Sequence, residues 1–156
     1  MDTTKILVSF PYKTFSSRLT RSMKIITLFV IVLTIAMYSG SKSNETVRIA
    51  LLIGLTIFLF YLVENAGWSR CYITNIHLMA DNKIKIIYYD KDFKKEYIND
   101  IKSLTFDKKF VWYKIRGRAP YLIIQNLSDG FKIKQHDVGS WDEATIDKIE
   151  KIGLSN

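Results

Sequence analysis

Cysteine and histidine are scarce in this chain, and their scarcity excludes several kinds of chemistry. Cys71 is the single cysteine, so no disulfide can form within the chain and no zinc site can be built on paired cysteines. His77 and His136 are far apart in sequence, and His136 beside Asp137 is better explained as a polar residue at a strand end than as a base with its orienting carboxylate. No phosphate-binding loop, HExxH, GxSxG or CxxC motif occurs. We therefore expect a protein that is not an enzyme and that holds no cofactor and no metal.

Charge is absent from two stretches, residues 25–38 and 49–63. With their flanks, each reaches about 17 to 20 residues, enough to cross the hydrocarbon core of a bilayer. Both runs are apolar all round, which favours lipid over the alternative, a buried helical hairpin of a soluble protein. The polar stretch SGSKSNET between them is short and turn-prone. The sequence therefore predicts a transmembrane hairpin with helices at 23–39 and 47–65 and an external loop at 40–46.

Positive charge is concentrated before the first apolar run, in a predicted basic juxtamembrane arm at residues 1–22. Because basic residues flank membrane helices on the cytoplasmic side, the pattern predicts a multi-pass protein of the cell membrane with both termini cytoplasmic. The same cations can also lie on an anionic leaflet, and the sequence leaves these two roles open. The residues concerned are Lys13, Arg18, Arg21 and Lys24.

Residues 68–156 are charged and change period. Short runs rich in β-branched and aromatic residues follow one another from CYITNIHL to GFKIKQ, which predicts about seven short antiparallel strands. DKK at 107–109 and RGRAP at 116–120 are predicted turns, and SDG at 128–130 is a hairpin signal. The final SWDEATIDKIEKIG predicts an amphipathic helix, with Ser140 and Glu143 at capping-box spacing. The expected class is α+β: the helical hairpin, then a small antiparallel β-barrel or sandwich closed by a C-terminal helix.

The order of these elements resembles the pleckstrin-homology-like domains of bacterial membrane proteins. The resemblance rests on EYINDIKSLTFDKK, on PYLIIQN and GFKIKQ, and on the final SWDEATIDKIEKI, and it covers residues 20–153. A two-span hairpin before such a domain is also similar to members of that family. The headgroup-binding basic loop of eukaryotic pleckstrin-homology domains is not matched, because the early turn is only DNK. The resemblance implies a small β-domain that binds rather than catalyses.

A basic cluster is the candidate contact site for anionic lipid or for a partner. Arginine forks suit phosphate, and Gly117 lets the backbone approach a ligand closely. Solvated hairpin tips are the alternative explanation. We expect a membrane-anchored interaction module that binds a protein partner and no nucleic acid, or else a sensor of anionic lipid surfaces, or a small accessory subunit of a transport or secretion complex. The candidate residues are Lys108, Lys109, Lys114, Arg116 and Arg118.

Overall fold

The computed structural model describes residues 4–40, 44–113 and 117–154. The chain divides into two compact units, one of residues 16–67 and one that combines residues 1–15 with 68–156. The expected α+β class, with antiparallel sheets and a C-terminal helix, is confirmed. The elements in chain order are β1 (Lys5–Ser9), α1 (Phe15–Gly40), α2 (Asn44–Ser69), β2 (Cys71–Leu78), β3 (Lys83–Asp90), β4 (Phe93–Asp100), a 3₁₀ turn (Ile101–Ser103), β5 (Leu104–Tyr113), β6 (Gly117–Asn126), β7 (Lys132–His136) and α3 (Glu143–Leu154).

The helical unit contains the two apolar runs, each within one 26-residue helix. The helices approach closely at Gly54, where a Cβ atom would lie 3.6 Å from Val30 Cγ1 and 3.8 Å from Thr34 Oγ1. Small residues such as Gly54 permit two helices to approach this closely. The Thr34 hydroxyl donates a hydrogen bond to the Val30 carbonyl, 2.8 Å away, and is therefore satisfied within its own helix.

Of the helices in the described part of the chain, α2 is the one long and apolar enough to cross a membrane, over Leu51–Ser69. This criterion considers length and composition only. The prediction of two spans, at 23–39 and 47–65, is therefore not confirmed and stays a prediction. Residues 41–43 of the predicted external loop lie outside the described residues.

The N-terminal segment differs from the predicted basic arm. Residues 5–9 form β1, an antiparallel edge of the sheet that also contains β2, with a register shift between Ile6 and Val8. This bulge turns two consecutive side chains, Leu7 and Val8, into the core, while Ile6 stays exposed. The predicted arm over residues 1–22 thus contains a strand of the β-domain that the sequence analysis did not expect, because a bulged five-residue strand carries no alternating pattern.

The residues between β1 and α1 also pack on the β-domain. The Phe10 ring meets the Trp141 ring edge-on, with centroids 5.7 Å apart. The Asp92 carboxylate accepts hydrogen bonds from the Tyr12 hydroxyl and from the backbone N–H of Phe15, the first residue of α1. An otherwise unsatisfied helix-terminal N–H is thus capped by a side chain 77 residues away in sequence.

The β-domain has a four-stranded antiparallel sheet, β1-β2-β3-β4, and a three-stranded antiparallel sheet, β5-β6-β7. No barrel closes among the described residues, so the barrel alternative is not supported. Both sheets and α3 contribute to one apolar core. Its fully buried side chains are Tyr72, Ile73, Ile76, Ile84, Ile86, Leu122, Ile124, Trp141, Ile146 and Ile149.

A polar contact joins the two sheets inside this core. The register of β2 shifts between Ile73 and Asn75, and β1 pairs with β2 only as far as Asn75. The Ile73 N–H donates to Gln135 Oε1 at 2.7 Å, and the Ile73 carbonyl accepts from Trp141 Nε1 at 2.8 Å. Gln135 is fully buried and donates in turn to the His136 carbonyl. These two bonds therefore tie β2 to β7 and to the segment before α3, because buried backbone groups need partners.

β5 runs through the predicted DKK turn without a break. It pairs with β6 in one continuous register, from Leu104 opposite Asn126 to Tyr113 opposite Gly117. Residues 107–109 are thus strand interior, and two predicted strands are one. A run of charged residues looks like a turn in sequence, but here one of the charges is neutralised by another element, as described below.

Side chains of helix α3 bond to backbone groups at the outer edges of two strands from different sheets. Lys148 Nζ donates to the Leu7 carbonyl of β1 at 3.3 Å, and Glu150 Oε1 accepts from the Lys108 N–H of β5 at 2.9 Å. Two edge strands are therefore closed to further pairing at these positions.

The ends of α3 also differ from the predicted ones. Asp142, rather than Ser140, accepts from the Thr145 N–H at 2.8 Å and caps the helix. Gly153 lies inside the last turn, where a Cβ would come within 2.5 Å of Phe106. Its role is close packing on β5 rather than termination.

Candidate binding surfaces

Lys108, the first predicted contact residue, points to α3 instead of to solvent. Its ammonium lies 2.7 Å from Glu143 Oε1 and 2.5 Å from Asp147 Oδ1, and the side chain is largely shielded. Hydrogen bonds to Asp147 and then to Glu143 raise the pKa of Lys108. Lys109, the next residue along the strand, is exposed on the opposite face of β5. Strand alternation thus separates two cations that the sequence placed together in one turn.

The predicted basic turn at 116–120 overlaps the start of β6, which begins at Gly117. Lys114 and Arg116 lie outside the described residues. Gly117 begins β6 with a φ of 77°, a left-handed conformation that glycine adopts without strain. Arg118 follows and is exposed. Residues 117–120 of the predicted turn are therefore strand, paired with β5, and Arg118 is the described cation of this region.

Two aromatic side chains accompany Arg118, and the sequence reading missed them as contact residues. Trp112 stands opposite Arg118 in the ladder and is 73% exposed. Phe110 is 40% exposed, and the Arg118 guanidinium carbon lies 3.7 Å from its ring centroid. The signal was present in FVWYKIR, where Phe110 and Trp112 occupy alternate positions directly before the cations.

The predicted membrane-surface residues are not equivalent in the structure. Lys13 is half-buried, and its ammonium donates to Ser140 Oγ at 3.4 Å. Arg18, Arg21 and Lys24 all belong to α1. The Arg18 side chain is 1% exposed, whereas Lys24 is exposed, and the side chain of Arg21 lies outside the described ones.

Strand β4 is the outer strand of the four-stranded sheet and pairs only with β3 among the described residues. The Ile101 N–H donates to the Asn82 carbonyl in the same register as the β3–β4 ladder. The backbone N–H and C=O groups of odd-numbered β4 residues therefore bond to β3, and the backbone N–H of Ile98 faces outward. Phe93 and Ile98 are exposed apolar side chains on this strand. Salt bridges from Lys85 and then Lys94 lower the pKa of Glu96, between them, to about 2.

His136 lies in an aromatic stack at the end of β7. Its ring stacks on Tyr121, with centroids 5.1 Å apart, and Trp68 lies 6.1 Å away. Burial, with a smaller contribution from Lys134, lowers the pKa of His136 to about 4. Within the described ranges, no three His, Cys, Asp or Glu side chains come together as a metal site requires.

Comparison of the chain with protein-family models, with curated proteins and with solved structures finds no match.

Proposed function

We propose that this chain is a two-span membrane protein whose β-domain is a non-catalytic binding module. The observation that carries the proposal is the pairing of β1 with β2. β1 precedes the helical hairpin and β2 follows it, yet they form one antiparallel ladder from Lys5 opposite Leu78 to Ser9 opposite Asn75. Two strands of one sheet lie on one side of a bilayer, so the chain between them crosses an even number of times.

This argument supports a second crossing by α1. α2 is apolar enough to cross over Leu51–Ser69. If it crosses, the chain must also cross between Ser9 and Leu51, and α1, with its uncharged run at 25–38, is the segment suited to do so. Basic residues flank the domain side of the hairpin, which favours a cytoplasmic β-domain.

The architecture of the β-domain supports the pleckstrin-homology-like resemblance. It has seven strands in two sheets and a C-terminal helix, the number of strands and the final helix that the resemblance implies, although one strand precedes the hairpin. The first strand comes from before the hairpin, so under this proposal the spans are an insertion between the first and second strands of the domain.

β4 is the surface best suited to a protein partner. Its outward N–H and C=O groups and its exposed Phe93 and Ile98 offer an edge to which an extended peptide can add a strand. The edges of β1 and β5 are less accessible, because Lys148 and Glu150 of α3 bind their backbone groups.

Cysteine labelling in intact cells tests the topology. In a Cys71→Ser background, Ser43→Cys is expected to react with a membrane-impermeant maleimide from outside, whereas Thr4→Cys and Lys102→Cys react only after permeabilisation. Opposite accessibility of positions 4 and 102 would exclude the two-span proposal. Labelling of position 43 only after permeabilisation would exclude the external loop.

Site-specific photo-crosslinking tests the partner surface. A photoreactive residue at position 93 in intact membranes is expected to give a discrete protein adduct, and Ile98→Pro should abolish it by removing an outward N–H. The control is position 127, where Leu127 is 82% exposed but lies off β4. Equal adducts from position 127, or adducts that survive Ile98→Pro, would argue against strand addition at this edge.

A further inference from the structure

We propose that the end of the β5–β6 hairpin, formed by Phe110, Trp112 and Arg118 and called the hairpin tip below, binds the anionic headgroup interface of a phospholipid bilayer. The three side chains share one face of the hairpin, because Trp112 is directly opposite Arg118 and Phe110 is directly opposite Pro120.

This face changes character along the hairpin. Near its base it carries Phe106 and Leu122, which are buried in the core. Beyond Lys108, which the carboxylates of α3 neutralise, the same face carries Phe110 and then Trp112, which are exposed. The hairpin therefore extends past the core and presents its apolar face where the domain gives it no cover.

The chemistry of the hairpin tip matches an anionic interface. Trp112 is an amphipathic ring of the kind that sits at the headgroup level of bilayers. Arg118 has no salt-bridge partner among the described residues, and its guanidinium is held over the Phe110 ring. Apolar ring faces and an uncompensated cation together suit the boundary between acyl chains and phosphates. If the hairpin tip bound a protein instead, its binding would not depend on anionic lipid or on lipid composition.

The proposal rests on the proposed function only in requiring that the chain can be embedded in a bilayer. The test uses the full chain in nanodiscs of brominated phosphatidylcholine, with or without phosphatidylglycerol. A second arm adds phosphatidylglycerol vesicles to nanodiscs of neutral lipid and measures co-flotation. Quenching of Trp112 is obtained as the difference between the unchanged chain and Trp112→Phe, which removes the reporter but keeps an aromatic ring.

We expect quenching from Trp112, or co-flotation that Trp112→Ala weakens, only when phosphatidylglycerol is present. Arg118→Ala should weaken the response about fivefold. A basic residue near an anionic surface contributes about 1 kcal/mol to binding, and this free energy corresponds to that ratio of affinities. Raising the salt to about 1 M, where the Debye length is about 3 Å, should abolish it. Lys102→Ala is the matched control, since it removes one exposed cation beside the other end of β5. That end of the strand lies about 26 Å from Trp112, at about 3.3 Å per residue.

Several outcomes would overturn the proposal. These are no Trp112-dependent signal in either arm, an equal signal in neutral and anionic lipid, or equal losses for Arg118→Ala and Lys102→Ala. A crosslink from position 112 to a protein, without lipid quenching, would assign the hairpin tip to a protein partner instead. Failure of the membrane proposal is distinct, because such a chain would not enter nanodiscs and position 43 would not label from outside.

Discussion

Replacing Leu7 by alanine tests whether the strand before the helical hairpin belongs to the core of the β-domain. Leu7 is 7% exposed and lies in the apolar core that both sheets share, whereas Ile6, the preceding residue of the same strand, is 60% exposed. Leucine-to-alanine changes in cores cost about 2–5 kcal/mol through lost transfer free energy and the cavity left behind. A surface substitution changes stability by about 0.5 kcal/mol or less. Ile6→Ala is thus a matched control one residue away.

Urea unfolding of the full chain in nanodiscs measures the difference. The fully buried Trp141 reports on the β-domain, while the bilayer retains the helices. With a mid-range urea slope of about 2 kcal/mol per molar, Leu7→Ala should lower the midpoint by about 1–2.5 M at an unchanged slope. Ile6→Ala should leave the midpoint nearly unchanged. Equal shifts for the two variants, or no shift for Leu7→Ala, would refute the placement of β1 in the core and with it the argument for an even number of crossings.

Three further predictions concern other parts of the β-domain. Gly153→Ala should destabilise by about 1–3 kcal/mol in the same assay, because its Cβ would overlap Phe106 and overpacking outweighs the helix-propensity gain of up to about 1 kcal/mol; a stabilised variant would contradict the close packing of α3 on β5. Asp142→Ala should cost about 1 kcal/mol through loss of the helix cap, and Asp142→Asn should restore most of it, so equal losses in the two variants would exclude capping. The pKa of His136, lowered to about 4 by burial and by Lys134, implies stability that is present above about pH 6.5 and lost as the pH falls from there to about 4, by up to about 3 kcal/mol. His136→Phe should flatten stability in that pH range, and an unchanged slope would assign the pH dependence to other groups.

The secondary structure of the apolar and alternating segments was predictable because it depends on neighbours in sequence. The uncharged runs at 25–38 and 49–63 predicted the helices that contain them. SDG predicted a hairpin, and Gly130 adopts a φ of 73° between β6 and β7. Local patterns failed where a remote partner changes the meaning of a residue. Lys108 lies in a charged run that predicts a turn, but its ion pairs with Glu143 and Asp147 allow it to lie inside a strand.

The sequence by itself determined the α+β class, the two apolar helices and the amphipathic end of the chain, because periodicity and charge patterning act within a few residues. The tertiary structure decided that β1 joins β2 across the helical hairpin, that two sheets meet at the Ile73 bulge, and that Phe110, Trp112 and Arg118 converge. Each of these depends on strand register, on a bulge or on burial between segments distant in sequence. Register and burial follow from the free energy of the whole core, which no local pattern of residues records.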